Sequence, residues 1–239
     1  MSRKNSAKRW DEWAEKNPFF FIDTECSDES SFWEKGKDDV EKFILPLLKK
    51  YAIPRKLAVD FGCGLGRHSQ ALSSHFHQVI GVDSSKKMLR KALQKRAEAP
   101  ATKLIFLTNS HFFEKKWQTD FLYSARVFQH IEDPQILWET LEKLLKNVKG
   151  YAYLHFDTRK QDALYRLKRL LPDFLLPKTH QRGIRRTRQV AEEIRIFFEK
   201  NGFEVLEEHG PKTAHHFFLI RKSPLTSVPL SIKKSAQQK

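Results

Sequence analysis

Leu57-Ala-Val-Asp-Phe-Gly-Cys-Gly-Leu-Gly66 is a short apolar run that reaches an acid, Asp60, and then sets glycines at 62, 64 and 66. The run predicts a strand over 57–61. Glycines carry no Cβ and tolerate positive φ, so a ligand can lie directly against the main chain where a strand turns into a helix. The spacing reads as a loop that holds a nucleotide-like cofactor. A second apolar run, Gln78-Val-Ile-Gly-Val-Asp83, ends on another acid seventeen residues beyond Gly66. A carboxylate closing the neighbouring parallel strand can accept from both hydroxyls of a ribose, so the two runs read together as a βαβ unit for a ribose-bearing ligand. The glycine order, Gly-x-Gly-x-Gly followed by Arg67, departs from the Gly-x-Gly-x-x-Gly of nicotinamide and flavin sites.

Working outward, helices are predicted over 66–75, 85–97, 134–147 and 187–201, and further strands over 78–83, 103–108, 121–127 and 151–157. Ser84 or Ser85 and Asp133-Pro134 supply helix starts, and Asn201-Gly202 supplies a stop. Phe203–His209 and His215–Arg221 read as an antiparallel hairpin. This alternation predicts an α/β fold with a mostly parallel, Rossmann-like sheet and helices on both faces. Ahead of it, residues 1–54 form an expected helical arm. It contains a short amphipathic helix over 8–16, an aromatic break over 17–22 and a longer helix over 31–51. Its aromatic residues, among them Trp10, Trp13, Phe19, Phe20, Phe21, Phe32 and Trp33, read equally as a cover over the cofactor or as packing onto the core. Residues 158–186 form an insertion too long for an ordinary connection, and are expected to cover the active site. The basic tail over 223–239 is expected to be disordered.

With 239 residues, the chain suits one α/β domain with an appendage. Its two cysteines offer no disulfide framework, no apolar run is long enough for a membrane span, and no export signal precedes the arm. A cytoplasmic protein without a membrane partner is the expectation. The formal net charge is +15, and between Arg159 and Arg188 ten Lys or Arg residues stand against two acids. Such a stretch reads either as a solvated face or as a rim that attracts anions. Only Tyr165 and Phe174 are aromatic there, which weighs against a single-stranded nucleic-acid groove.

Asp60–Gly66 is similar to the first motif of class I S-adenosylmethionine (SAM)-dependent methyltransferases. Thr119–Asp133 resembles that family's strand, turn and His-Ile-x-Asp helix entry. Asn17-Pro-Phe-Phe-Phe-Ile-Asp-Thr24 and Phe32-Trp33-x-x-Gly36 are similar to the lead-in of a bacterial subgroup of unspecified substrate. The resemblance spans residues 55–222 and implies a seven-stranded sheet of order 3-2-1-4-5-7-6 with SAM as cofactor. Two positions depart from the pattern. Asn109 stands where the family often has Asp, and Asn147-Val-Lys-Gly150 where it often has Pro-Gly-Gly.

Carried over residue by residue, the resemblance implies that Gly62, Cys63, Gly64, Gly66 and Arg67 form the cradle for the methionine moiety while Asp60 orients its amino-acid end. Asp83 would take the ribose, Ser84 and Met88 would pack near the adenine, and Asn109 and Ser110 would meet its edge. Ser124, Ala125 and Arg126 would line the methionyl side.

A sulfonium already carries the reactivity, so the protein mainly positions an acceptor in line with the methyl group. A general base is needed only for an acceptor whose proton has a high pKa, and histidine suits that task. His130, after the fourth strand, is the first candidate, and His155, near Asp157 at the end of the fifth, is the second. His75-Phe-His77 and His215-His216 lack cysteines or paired carboxylates at ligand spacing, so no metal is expected. The expected acceptor is a small, anionic molecule methylated at oxygen or nitrogen. RNA is the alternative acceptor, and a non-catalytic SAM-binding protein or a nicotinamide-dependent oxidoreductase are alternative classes.

Overall fold

Along β1 (Leu57–Phe61), Val59 and Phe61 belong to the core on one face of the sheet, while Ala58 packs on the other. Successive strand residues point to opposite faces, so a strand covered on both sides must be apolar at consecutive positions. The same holds for β2 (Gln78–Asp83), where Val79 joins one core and Ile80 and Val82 the other. The computed structural model describes residues 3–22, 28–98, 103–176 and 186–224. The expected tail beyond 224, and 177–185 of the expected insertion, lie outside the described residues.

β1 pairs in parallel with β2 on one side and with β4 (Thr119–Ser124) on the other. β3 (Leu104–Thr108) extends the sheet beyond β2, and β5 (Val148–Phe156) extends it beyond β4. The antiparallel hairpin of β6 (Phe203–His209) and β7 (His216–Lys222) completes it, with β7 against β5, giving the order β3-β2-β1-β4-β5-β7-β6. This is the order expected from the sequence. Chain direction along the sheet reverses between β1 and β4, which places a crevice outside their carboxyl ends.

The face bearing Val59 and Phe61 is covered by α7 (Asn109–Phe113), α8 (Pro134–Leu145) and α10 (Ala191–Lys200). The other is covered by α5 (Arg67–Ser73) and the N-terminal elements that reach Tyr51. α6 (Lys86–Glu98) packs beside β2 and β3.

Several boundaries differ from expectation for local reasons. The fourth strand stops at Ser124, because Arg126 takes a left-handed backbone conformation (φ 61°) and Phe128–His130 form a 3-10 turn. The fifth begins at Val148, three residues early, and Gly150 is where it crowds β4: a Cβ there would stand 2.4 Å from the Asp120 carbonyl oxygen. The aromatic break folds as α2 (Pro18–Ile22), with Pro18 at its first position, where a missing N–H costs nothing. Ahead of it lies α1 (Arg3–Lys16). The long helix expected over 31–51 is α3 (Glu29–Asp39), a π-turn over Val40–Ile44 and α4 (Leu45–Lys50). Pro46 offers no N–H and crowds the preceding turn, and the wider π-turn precedes it. The insertion contains α9 (Ala163–Leu170), capped by the Asp162 carboxylate, which accepts from Tyr165 N–H. The last helix starts at Ala191 because the chain ahead of it is strapped across the sheet end, with Thr187 N–H bonded to the Gln129 carbonyl and Gln189 N–H to that of Asp157.

Phe156 is fully buried, stacked on Phe128 at 5.1 Å and set edge-on to Phe198 and Phe218. Phe156→Ala should destabilise the fold by about 3–5 kcal/mol. In urea titrations the midpoint is expected to fall with an unchanged slope.

Candidate active site

The glycine loop is anchored before it is bare. Gly62 N–H and Cys63 N–H both donate to the Val82 carbonyl, at 2.7 and 3.0 Å, and Gly64 N–H donates to Asp83 Oδ2 at 2.9 Å. The loop is thus tied to the end of β2. Gly62 and Gly64 adopt φ of 78° and 55° and border the cavity. A Cβ on Gly62 would come within 2.0 Å of Val127, and one on Gly64 within 2.9 Å of Ile22. Gly66 serves another purpose: it begins α5 at φ 83°, and a Cβ there would stand 2.7 Å from the Phe106 ring rather than in the cavity. Cys63 also borders the cavity, and its thiol is pushed up by burial and by the nearby Asp83 and Asp60, which keeps it neutral.

Of the two strand-end acids, only Asp83 reaches the cavity. Its other oxygen accepts from Ser85 N–H at 2.8 Å, and burial lifts its pKa to about 6. Asp60 is buried behind the loop, where it accepts from Ser69 Oγ at 2.6 Å, and burial raises its pKa too. The α6 start is capped by Ser85, whose Oγ accepts from Met88 N–H. Ser84, relieved of that duty, borders the cavity with Met88. Asn109 borders it as well, and its Oδ1 is buried without a hydrogen-bond partner among the described residues. Ser110 does not: it is exposed, with its hydroxyl 2.9 Å from Thr108 Oγ1.

At the ends of β4 and β5, Ala125 and Arg126 border the cavity, whereas Ser124 is buried and donates to the Phe61 carbonyl. His155 is also withdrawn. Its Nδ1 accepts from Arg126 N–H at 2.9 Å, so Nε2 carries the proton and donates to the Ala214 carbonyl at 2.9 Å. Both nitrogens are engaged, and burial drives the pKa down to about 3. The side chain is a staple that holds Arg126 in its left-handed conformation, not a base facing an acceptor. His130 does border the cavity, with Nε2 3.1 Å from the Gln129 amide nitrogen and its ring edge-on to Trp10 at 5.5 Å.

The cavity, of about 540 Å³, is roofed by segments from outside the βαβ unit. The N-terminal arm contributes Trp10 and Ile22, and the strap contributes Arg159, Tyr165, Lys168 and Arg188. Phe19, Phe32 and Trp33 pack with Leu65 and Met88, so the arm is both a wall of the site and a packed layer beneath it. Asp11 ties α1 down by accepting from Ser85 Oγ at 2.6 Å and Lys87 N–H at 3.0 Å. Arg67 borders the cavity too, with its guanidinium 4.8 Å from the Phe32 ring and 4.0 Å from Asp39. Trp10, Ile22, Gln129 and Tyr165 were not singled out as site residues. Only the aromatic density of the arm and the basic run of the strap pointed toward that roof. Among the described residues, no group of three or more His, Cys, Asp or Glu side chains is placed to hold a metal.

The neutrality of His155 has a pH signature. Its pKa in the fold lies below that of the unfolded chain, which takes up a proton below about pH 6.5. Stability therefore falls as pH drops from about 6.5 toward about 3, by up to about 1.4 kcal/mol per pH unit. His155→Gln removes that slope. In urea titrations the deficit of the variant relative to wild type should shrink between about pH 7 and about pH 5.

The residues present fit an adenosyl sulfonium: a backbone cradle that a Cβ would fill, a carboxylate beside it, and an orphaned acceptor at Asn109. Residues 59–154 match the family model described as a methyltransferase domain. No curated protein matches the sequence significantly. Magnesium protoporphyrin IX methyltransferase of Synechocystis, solved with bound SAH, has a TM-score of 0.69 at 19% identity, covering 93% of this chain and 100% of that one. A SAM-dependent methyltransferase of Clostridium acetobutylicum gives 0.63 at 13% identity, covering 90% and 100% of the two chains. One of Anabaena variabilis gives 0.58 at 22%, covering 90% and 94%. At such identities these likenesses establish the fold, and the family match covers the central part of it, from β1 to β5. The chain therefore has the class I methyltransferase fold, and residues 59–154 within it match the methyltransferase domain.

Proposed function

We propose that the protein is a SAM-dependent methyltransferase that methylates an oxygen or nitrogen of a small, anionic molecule. The observation that carries this reading is the mixed lining of the cavity: bare glycine backbone and Asp83 share it with a roof rich in arginine and lysine. Arm and strap wall the space in, which suits a small acceptor better than a polymer. Tyr165, the aromatic residue that the basic insertion brings to the roof, has the guanidinium of Arg188 at 4.4 Å and that of Arg169 at 5.7 Å from its ring centre. Its face is therefore occupied, not open to stacking on a base. The magnesium protoporphyrin IX methyltransferase, by its name, also acts on a small molecule.

In this reading Gly62 and Gly64 hold the methionyl part, Asp83 accepts from the ribose, and Ser84, Met88 and Asn109 surround the adenine, with Asn109 Oδ1 accepting from its amino group. Asp60 and Ser124 act from behind, by fixing the loop and the end of β4. When bound, SAM supplies an electrophilic methyl group at the meeting of the two halves. Arg126, held by His155, borders that meeting. Trp10 and Ile22 exclude water from it. His130, at the cavity wall, is the group placed to take a proton from an acceptor that must lose one.

Calorimetry with SAM and with NAD, followed by transfer of tritiated methyl from SAM into fractionated extract, tests the proposal. SAM should bind, NAD should not, and label should enter a small-molecule fraction. Label in RNA alone would overturn it. Gly64→Val places a branched side chain at positive φ and against Ile22, and should weaken SAM binding by at least about 100-fold while the chain stays folded.

Asp83 adds a pH dependence. Ribose hydroxyls donate to the ionised carboxylate, so SAM affinity should rise as pH climbs through about 6 and then level off. Asp83→Asn should flatten that profile and weaken binding about tenfold at neutral pH.

A further inference from the structure

The strap brings cations to the cavity and holds several of them in place. Arg159 is fixed from behind: its Nε and Nη2 donate to the two oxygens of the buried Asp157 at 3.0 and 2.5 Å. Arg188 is fixed from the side, with its guanidinium over the Tyr165 ring, its Nη1 bonded to the Lys160 carbonyl and its N–H donating to Tyr165 Oη at 3.0 Å. Arg169 lies over the same ring, with Nη1 3.4 Å from Tyr165 Oη. Tyr165 is thus the post around which two guanidiniums are arranged.

The acids do not balance this charge. Asp162 caps α9 through Tyr165 N–H at 2.7 Å and lies 3.7 Å from Arg188, and Asp157 is engaged by Arg159. Lys168 and Arg169 border the cavity with no acidic partner among the described residues. Like charges brought together without a counter-ion repel one another, and an anion with several acceptor oxygens relieves that cost. Arginine forks suit oxyanions, and neighbouring lysine adds a point charge.

We propose that this roof is an oxyanion clamp, so that the methyl acceptor carries a phosphate or carboxylate group seated on Lys168 and Arg169 beside Tyr165, with Arg159 and Arg188 as fixed flanks. The clamp rests on the methyltransferase reading above and names the chemistry of its acceptor: the anionic group anchors at the roof, and the nucleophilic atom extends toward the glycine loop. It also assigns the basic strap a task in recognition.

Calorimetric titration of the full chain saturated with SAH tests this, using pyrophosphate and succinate as separate probes. At least one should bind with one-to-one stoichiometry, and the one that binds identifies the anchoring group as phosphate or carboxylate. Lys168→Ala and Arg169→Ala should each weaken that binding about tenfold, the worth of one charge-assisted hydrogen bond. Unchanged SAH affinity in the variants shows that they are folded. The clamp is overturned if neither probe binds, if both variants bind as wild type does, or if RNA oligonucleotides bind with a steep salt dependence and displace the probe. Loss of SAH binding in the wild-type chain overturns the methyltransferase reading itself, whereas normal SAH binding without oxyanion binding overturns the clamp alone.

Discussion

The hydrogen bonds from Gly62 and Cys63 to the Val82 carbonyl, and from Gly64 to the Asp83 carboxylate, are the constraint on which the site depends. They join the loop after β1 to the end of β2, so the glycines keep positive φ in a fixed frame and present backbone to the crevice. The frame has a cost. Asp83 is drawn out of bulk solvent to receive those bonds, and the desolvation raises its proton affinity even though the bonds themselves favour the charged form. A fixed stretch of bare backbone and a poised carboxylate are what a polar ligand meets on entering, with little left to rearrange on binding.

The opposite wall is fixed by a similar economy of partners. His155 uses both ring nitrogens to connect the Arg126 main chain to the β6–β7 loop at Ala214, and burial keeps it neutral. A histidine at the end of a strand in such a fold invites a catalytic reading, but here its value lies in geometry. His130, three residues beyond Val127 on the short turn after β4, is the one of the two candidate bases that meets the cavity; His68 also borders it, with Nε2 3.1 Å from Asp39 Oδ2.

Electrostatics divides the cavity. Around the glycine loop it is framed by bare backbone, one acid and the guanidiniums of Arg67 and Arg126, at its roof by cations stacked on an aromatic post and paired from behind. Charge held by stacking and by buried carboxylates is preorganised in a way that exposed lysines are not. In the proposed function, that division separates recognition of the acceptor from binding of the cofactor.

Much of the fold was legible because strands covered on both faces must be apolar throughout and their connecting helices must show a helical period, so β1, β2 and the C-terminal hairpin stand where their residues suggested. The end of β4 was not, since a left-handed arginine held by a distant histidine has no local signature. Ser84 and Ser85 look alike in sequence, and only the position of the α6 start decides which one caps the helix and which one faces the cavity. Asp60 and Ser110 belong to matching motifs, yet burial behind the loop and exposure beyond it take them from the wall.

Sequence alone determined the strands, the glycine cradle and its acid, because local periodicity and the steric needs of bare backbone are written in neighbouring residues; the strand order followed only from the family resemblance. Tertiary structure decided the rest: which of the two candidate histidines reaches the cavity, how the arm becomes a wall, and how Arg188 comes to lie over Tyr165. The placement of the arm depends on contacts between segments more than a hundred residues apart, such as Arg126 with Ile22, which no local pattern encodes.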